Sequence, residues 1–353
     1  MLDFFTSIDD FVWGPPLLVL LVGTGIYLTI RLGLLQIIRL PKAFKLIFAE
    51  DKGEGDISSF AALATALAAT IGTGNIVGVA TAIKTGGPGA LFWMWIAAFF
   101  GMATKYAEGL LAIKFRTLDD QGNVSGGPMY YITHGFSGKW QIIAKPLAYF
   151  FAFAGVLVAW LGIGTFSQVN SITSSLQNSF GWSPKIVSVI LALITAAINF
   201  WWYSIYFKSI RKVVPFMAGL YIIAALIVIF ANFNQLLPVL EMVFQSAFTG
   251  KAAVGGFAGA TVMAAMRLGI ARGVFSNESG LGSAPIAAAA AKTEEPVEQG
   301  LISMTGTFID TIIICTLTGL AILVTGQWSG SLEGAPMTQA AFSSILELLE
   351  NLL

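Results

Sequence analysis

The sequence predicts an all-α polytopic membrane protein, and three observations carry that reading. Of 353 residues 56% are hydrophobic, against 19 basic and 19 acidic side chains. Apolar runs longer than about 18 residues recur along the chain, each enough to cross a bilayer core as a helix. The second run breaks at Ile71-Gly72-Thr73-Gly74-Asn75 and resumes as Ile76 to Ile83. In water those glycines would only weaken a helix, by roughly 1 kcal/mol each. In a membrane they free main-chain N–H and C=O groups that no solvent reaches, so the break is tolerated only where it lines a polar cavity. The reading is a discontinuous transmembrane helix at a solute or ion site.

Charge and composition exclude several function classes. Net charge is zero and no basic tract exists, so a nucleic-acid partner is not expected. Cys315 and His134 each stand alone, leaving no disulfide and no His/Cys set for a transition metal. No phosphate-cradling loop and no nucleophile–base arrangement is present, so an enzyme is not expected. Met1 to Pro15 carries Asp3, Asp9 and Asp10 but no Lys or Arg, unlike the basic start of a signal peptide. The first apolar run is therefore expected to stay in the membrane.

In chain order, the first span runs from Leu17 to about Gln36 and is closed by Arg31, Arg39, Lys42 and Lys45. A polar connector, Glu50 to Asp56, leads to the broken second span, Ser58 to Ile83, and Gly86-Gly87-Pro88-Gly89 turns into the third, Ala90 to Phe115. Thr117 to Gly138 is too polar to span. Pro146 to about Leu176 and Lys185 to about Tyr206 are the fourth and fifth spans, the latter ending in a belt of Trp201, Trp202, Tyr203 and Tyr206 at headgroup level. Val213 to about Phe233 is the sixth. Leu236 to Met266 is read as a discontinuous seventh, interrupted at Thr249-Gly250-Lys251 and Gly255-Gly256-Phe257-Ala258-Gly259. Arg267 to Ala291, with two Arg and a Glu, is expected at the cytoplasmic surface or as a partial re-entry. Val297 to about Thr325 is the eighth span, and a ninth apolar segment starts before Leu353.

With the N-terminus outside, sixteen Lys and Arg fall inside and only Lys84, Lys185 and Lys251 outside, a strong positive-inside bias. Spans two and seven are both interrupted by Thr and Gly and lie five spans apart. Such a pairing is the sequence pointer to a secondary transporter built from inverted repeats.

The breaks suggest their own chemistry. A helix ending at Ile71 exposes carbonyl oxygens suited to a small hard cation such as Na+, and the half-helix restarting near Asn75 presents N–H groups suited to a carboxylate. Thr70, Thr73 and Asn75 add neutral hydrogen-bonding groups. The competing reading is a packing hinge, where small residues let helices approach. In span four Gln168 and Asn170 lie two apart and cannot share one face, so Gln168 is taken for the site, with interhelical glue as its alternative. Gly255, Gly256 and Phe257 of span seven would supply backbone groups and an apolar wall. Asp310, inside span eight, is costly to bury unless paired, and serves either ion coupling or a structural network with Thr305, Thr307 and Thr311. Glu278 beside Arg272, and Glu108 beside Lys105, read as pairs that hold a gate or a loop.

Thr70-Ile71-Gly72-Thr73-Gly74-Asn75-Ile76, Gly86-Gly87-Pro88-Gly89-Ala90, Phe92-Trp93-Met94-Trp95, Lys105-Tyr106-Ala107-Glu108, Gly126-Gly127-Pro128-Met129-Tyr130-Tyr131 and Arg272-Gly273-Val274-Phe275-Ser276-Asn277-Glu278 to Gly282-Ser283-Ala284-Pro285 together resemble the bacterial and archaeal sodium:alanine symporter family. The resemblance implies a leucine-transporter-like inverted repeat with one extra N-terminal helix. Residues 14–46 would be that helix, 58–233 the first five-helix repeat and 235–353 a partial second repeat, all in one transmembrane transporter domain, 1–353. It implies Na+-coupled symport of a small neutral amino acid, alanine or glycine, into the cell. Thr73, Gly74, Asn75, Phe166, Gln168, Gly255, Gly256 and Phe257 would then bind substrate, and the carbonyls of Ala68 and Ile71 would bind sodium. A monomer in the cell membrane is the expected setting, with the lipid bilayer as its surroundings. Family members are longer, so the fold is expected to be C-terminally incomplete, about eight spans plus the start of a ninth. A passive channel and a non-transporting truncated fragment are the alternatives.

Overall fold

The computed structural model describes residues 4, 7–8, 11–49, 53, 55–118, 120, 123–161, 163–201, 203–249 and 262–350. Helices make up almost all of them, as expected where backbone groups find no water and must pair within their own segment. A single short hairpin, β1 (Thr117–Leu118) and β2 (Val124–Ser125), lies in the polar loop where no span was expected.

Helix α1 (Pro15–Arg31) opens with Pro in its first turn and closes with Arg31 in its last, both favourable for the helix termini. The expected N-terminal helix is not one rod. After Leu34, at φ 57°, the chain turns into α2 (Leu35–Ile38) and α3 (Leu40–Ile47). In α3 Ala43 and Ile47 are buried while Lys42 and Lys45 are exposed, the pattern of a helix lying along an interface.

Helix α4 (Ser59–Thr70) begins at Ser58, whose hydroxyl accepts the Ala61 N–H at 3.0 Å. It ends at the first break. A widened π-helical turn, Gly74–Gly78, then leads into α5 (Val79–Gly86), and the two halves meet at a bend of 49°. Gly87, at φ 75°, and Pro88 start α6 (Gly89–Lys114), a 26-residue helix buried along most of its length. Around α6 pack α1, α12 (Phe233–Thr249), α13 (Val262–Asn277), α14 (Ala284–Ala289) and α15 (Pro296–Thr307).

Helices α7 (Pro128–Gly135), α8 (Gln141–Leu161), α9 (Ile163–Phe180), α10 (Pro184–Trp201) and α11 (Tyr203–Ala231) come between α6 and α12. Phe150, Phe153, Val156, Ile186 and Leu193 are exposed on them, as suits a face turned to hydrocarbon. The expected aromatic belt falls outside the described side chains. Helix α15 continues through a second π-helical stretch, Phe308–Cys315, into α16 (Thr316–Val324), one 29-residue span. Helix α17 (Gly334–Glu350) lies against the first break, and Thr338 Oγ1 donates to the Ile76 carbonyl at 3.1 Å.

Among the described residues four helices are long and apolar enough to cross a membrane, or five when the bent pair Ser59–Thr70 and Gly74–Gly86 counts as one. The chain is a helical membrane protein.

One expectation changes in part. Of the two placements expected for 267–291, the surface one does not hold for its helical start: α13 packs along α5, α6 and the first break, with Ala265, Gly269, Gly273, Ser276 and Asn277 buried. Its small residues allow this, for a Cβ on Gly269 would collide with the Ala90 carbonyl. Arg267 and Arg272 line a common cavity with Trp13, at the N-terminal end of α1.

Candidate functional site

The first break is built by one competition for a proton donor. The last ordinary helical bond of α4 runs from Ile71 N–H to the Leu67 carbonyl at 2.8 Å, and Ile71 then leaves the helical region at ψ 97°. The next N–H, Gly72, donates to Asn75 Oδ1 at 2.8 Å instead of to the Ala68 carbonyl. No described backbone N–H crosses the break to the carbonyls of residues 68–71. Four carbonyl oxygens therefore end α4 without helical partners, those of Ala68 and Ile71 among them.

Asn75 fixes this geometry. Its Nδ2 lies within reach of three acceptors, the Asp310 Oδ1 at 2.8 Å, the Asp310 carbonyl at 3.1 Å and Cys315 Sγ at 3.3 Å. Both ends of the side-chain amide are engaged, so Asn75 acts as a tether that holds the break open. Asp310 is fully buried, and its Oδ2 accepts from Ser276 Oγ at 2.9 Å and from Thr311 Oγ1 at 2.8 Å. A carboxylate with its oxygens so occupied is one way to keep a charge inside a membrane span. Of the two readings left open for Asp310, the network exists, but its partners are Asn75, Ser276 and Thr311 rather than Thr305 and Thr307.

A second break faces the first. Helix α13 ends at Asn277, Glu278 adopts a left-handed φ of 56°, and Gly280 and Gly282 follow at 87° and 81° before α14 starts. Asn277 Nδ2 donates to Thr311 Oγ1 at 3.0 Å, and Asn277 Oδ1 accepts the Ser279 N–H at 2.9 Å. A Cβ on Gly74 would stand 2.9 Å from Ser276 Cα, so this glycine is what lets the two breaks touch. Lys105 and Glu108 of α6 both reach this turn: Lys105 Nζ donates to the Asn277 carbonyl at 2.9 Å, and Glu108 Oε1 accepts the Gly282 N–H at 3.1 Å. They hold a loop, as expected, but through its backbone. Glu278 instead accepts from Ser283 Oγ, and Arg272 lies over the Phe275 ring at 6.0 Å.

The other expected site residues scatter. Gln168 reaches the first break, its Nε2 3.7 Å from where a Cβ on Gly72 would be. Phe166 is exposed and lines a separate cavity of about 490 Å³ with Trp13, Arg267, Arg272 and Phe275. Thr73 is half-buried beside the buried Gly74. Gly255, Gly256 and Phe257 lie outside the described residues. Sequence reasoning missed Ser276 and Cys315 as members of the site. Nothing in the apolar run around Cys315 signals it, whereas the Ser276-Asn277 pair next to Gly-rich sequence was a usable clue.

Two facing helix breaks meet at the buried Asp310 carboxylate, which accepts from Asn75 of the first and from Ser276 at the end of α13, and the first leaves open main-chain oxygens inside a membrane protein. The model of the sodium:alanine symporter family matches residues 1–353. The chain belongs to the sodium:alanine symporter family. It is 50% identical over 351 residues to the sodium/alanine symporter AgcS of Methanococcus maripaludis, covering 97% of this chain and 76% of that protein. It is 54% identical over 340 residues to an uncharacterized transporter of Haemophilus influenzae, covering 96% and 73%. The probable sodium/glutamine symporter GlnT of Bacillus subtilis is 40% identical over 341 residues, covering 95% and 68%. As a member of this family the symporter belongs to the class of membrane proteins that move an amino acid together with a cation.

Proposed function

We propose that this chain couples the entry of a small neutral amino acid, alanine or glycine, to the downhill movement of Na+ by alternating access. The observation that carries the reading is the diversion of the Gly72 N–H to Asn75 Oδ1, which leaves the end of α4 as a set of bare carbonyl oxygens. Na+ is a hard cation that takes such oxygens, and the negative end of the α4 dipole favours it further. In this reading Na+ sits on the Ala68 and Ile71 carbonyls. The substrate carboxylate takes the N–H groups at the start of the second half-helix, around Thr73 and Gly74, with Asn75 tethering the turn. Gln168 contributes from α9, and Phe166, Gly255, Gly256 and Phe257 supply further walls. The crowding between Gly74 and Ser276 leaves little room, which fits a substrate with a small side chain.

The wider architecture follows the same proposal. Residues 14–46 precede a leucine-transporter-like inverted-repeat core, a first repeat at 58–233 and a partial second at 235–353, with about eight spans plus the start of a ninth and the N-terminus outside the cell membrane, in a monomer. Binding of Na+ at the α4 end offsets its bare carbonyls and steadies the two half-helices, and rocking of one repeat against the other then exposes both solutes to the cytoplasm.

Uptake of labelled alanine into proteoliposomes, with and without an inward Na+ gradient, tests this directly. Saturable uptake that disappears when K+ replaces Na+ is the expected result. Uptake indifferent to Na+ would sink the proposal, and flux that does not saturate would point to a passive channel.

A further inference from the structure

Among the described residues only three ionisable side chains of formal charge at neutral pH are buried: Lys105 at 3% exposure, Glu108 at 7% and Asp310 at 0%. All three converge on the two breaks. Lys105 holds the carbonyl that ends α13, Glu108 holds the Gly282 N–H just before α14, and Asp310 holds Asn75 and Ser276. Lys105 is within electrostatic reach of both carboxylates. Uncompensated charge inside a membrane span is costly, and by formal charge these three side chains leave one negative charge over.

The two breaks also differ in how their helix ends are complemented. The second has a cation on the negative end of α13 and an anion beside the turn that starts α14, the signs that each dipole end favours. Among the described residues, no charged side chain lies on the carbonyls of the first. A cavity of about 20 Å³ between the breaks, lined by Thr70, Lys105, Asn277, Gln299 and Ser303, has room for about one water and none for a hydrated ion.

We propose that Lys105 is a resident cation that fills the cation position of the second break and sets the unbalanced buried charge at minus one, so that one transported Na+, and no second, neutralises it. This rests on the Na+-symport reading above. Lys105 and Glu108 are positioning residues in it: they touch neither solute, and they decide how many cations the site takes.

The test is the Na+ dependence of alanine uptake by the full chain in proteoliposomes, for the wild type, Lys105→Met, and Lys105→Met with Glu108→Gln. The wild type is expected to show a Hill coefficient for Na+ of about one. Lys105→Met leaves two unmatched carboxylates and an empty cation position, so the Hill coefficient should move toward two and Na+ half-saturation should fall by about tenfold, because the added negative charge attracts the cation. The double variant restores a balance of minus one and should return both values toward those of the wild type. Lys105→Arg, which keeps the charge, should resemble the wild type in Hill coefficient. Wild-type Na+ dependence in Lys105→Met overturns the proposal. So does a double variant that elutes as a folded protein yet keeps the Na+ half-saturation and Hill coefficient of Lys105→Met. Wild-type uptake without any Na+ dependence would instead remove the underlying symport reading, so the two failures are separable.

Discussion

Asn75 and Asp310, 235 positions apart, meet through an amide-to-carboxylate hydrogen bond of 2.8 Å, while the other end of the same amide takes the Gly72 N–H. One side chain thus opens the first helix break and ties it to the span that carries the buried charge. Shape of the first break and position of the carboxylate are set together. Removing either partner should therefore disturb both. Asn75→Ala and Asp310→Ala are each expected to weaken Na+ activation, and their combined effect should fall short of the sum by about 0.5–3 kcal/mol, the range for residues in one network. A double-mutant cycle on the Na+ half-saturation of uptake measures this. Strict additivity would show that the contact carries no coupling.

Gly74 stands where the two breaks touch, with Ser276 Cα 2.9 Å from the site of any added Cβ. Because that neighbour is backbone, it cannot rotate away. Gly74→Ala is expected to cost about 1–3 kcal/mol of stability through overpacking and to reduce alanine uptake more than glycine uptake. Thermal unfolding in detergent and parallel uptake assays check the two parts, and equal losses for both substrates would separate the residue from substrate size.

Gln168 is the one polar side chain of α9 that the fold brings over Gly72. Gln168→Leu keeps the volume and removes the hydrogen-bonding end. A lost substrate hydrogen bond of about 0.5–1.5 kcal/mol corresponds to a rise in KM of roughly 2- to 12-fold, with Na+ half-saturation little changed. An unchanged KM would assign Gln168 to helix packing.

Arg116, just past the end of α6, donates to three backbone carbonyls at and just beyond the end of α14: Ala289 at 2.8 Å, Ala291 at 2.7 Å and Thr293 at 2.8 Å. This fork fixes the chain segment that leaves the second break. Arg116→Ala should lower stability by about 2–4 kcal/mol, since hydrogen bonds from a charged donor are stronger than neutral ones. Arg116→Lys should recover only part of it, because an ammonium is a point charge and cannot reproduce the planar fork. Melting temperatures of the three proteins in one detergent measure the series.

Much of this was legible in the sequence, for reasons particular to membranes. A bilayer imposes a length and an apolarity on each span, and it forbids an unpaired backbone except at a functional break, so Gly72, Thr73 and Gly74 stood out. Lys105 and Glu108 were recognisable as holding a loop because buried charges have few other uses. The placement of α13 was not legible. Arg267, Arg272 and, just past the helix, Glu278 left a surface position and a partial re-entry both open, and only packing reveals that Gly269 and Gly273 seat the helix against α6.

By itself, then, the sequence determined that the chain is a helical membrane protein, that one span is broken at residues 71–75, and that its motifs are those of the sodium:alanine symporter family. These are properties of local composition and order along the chain. Only the tertiary structure decided that Asn75 is a tether, that Ser276 and Cys315 join Asp310 beside it, and that the break facing the first lies at 278–283. Those facts depend on distances between residues hundreds of positions apart, and such distances are set by close packing of small residues, which leaves no periodic trace in a single sequence.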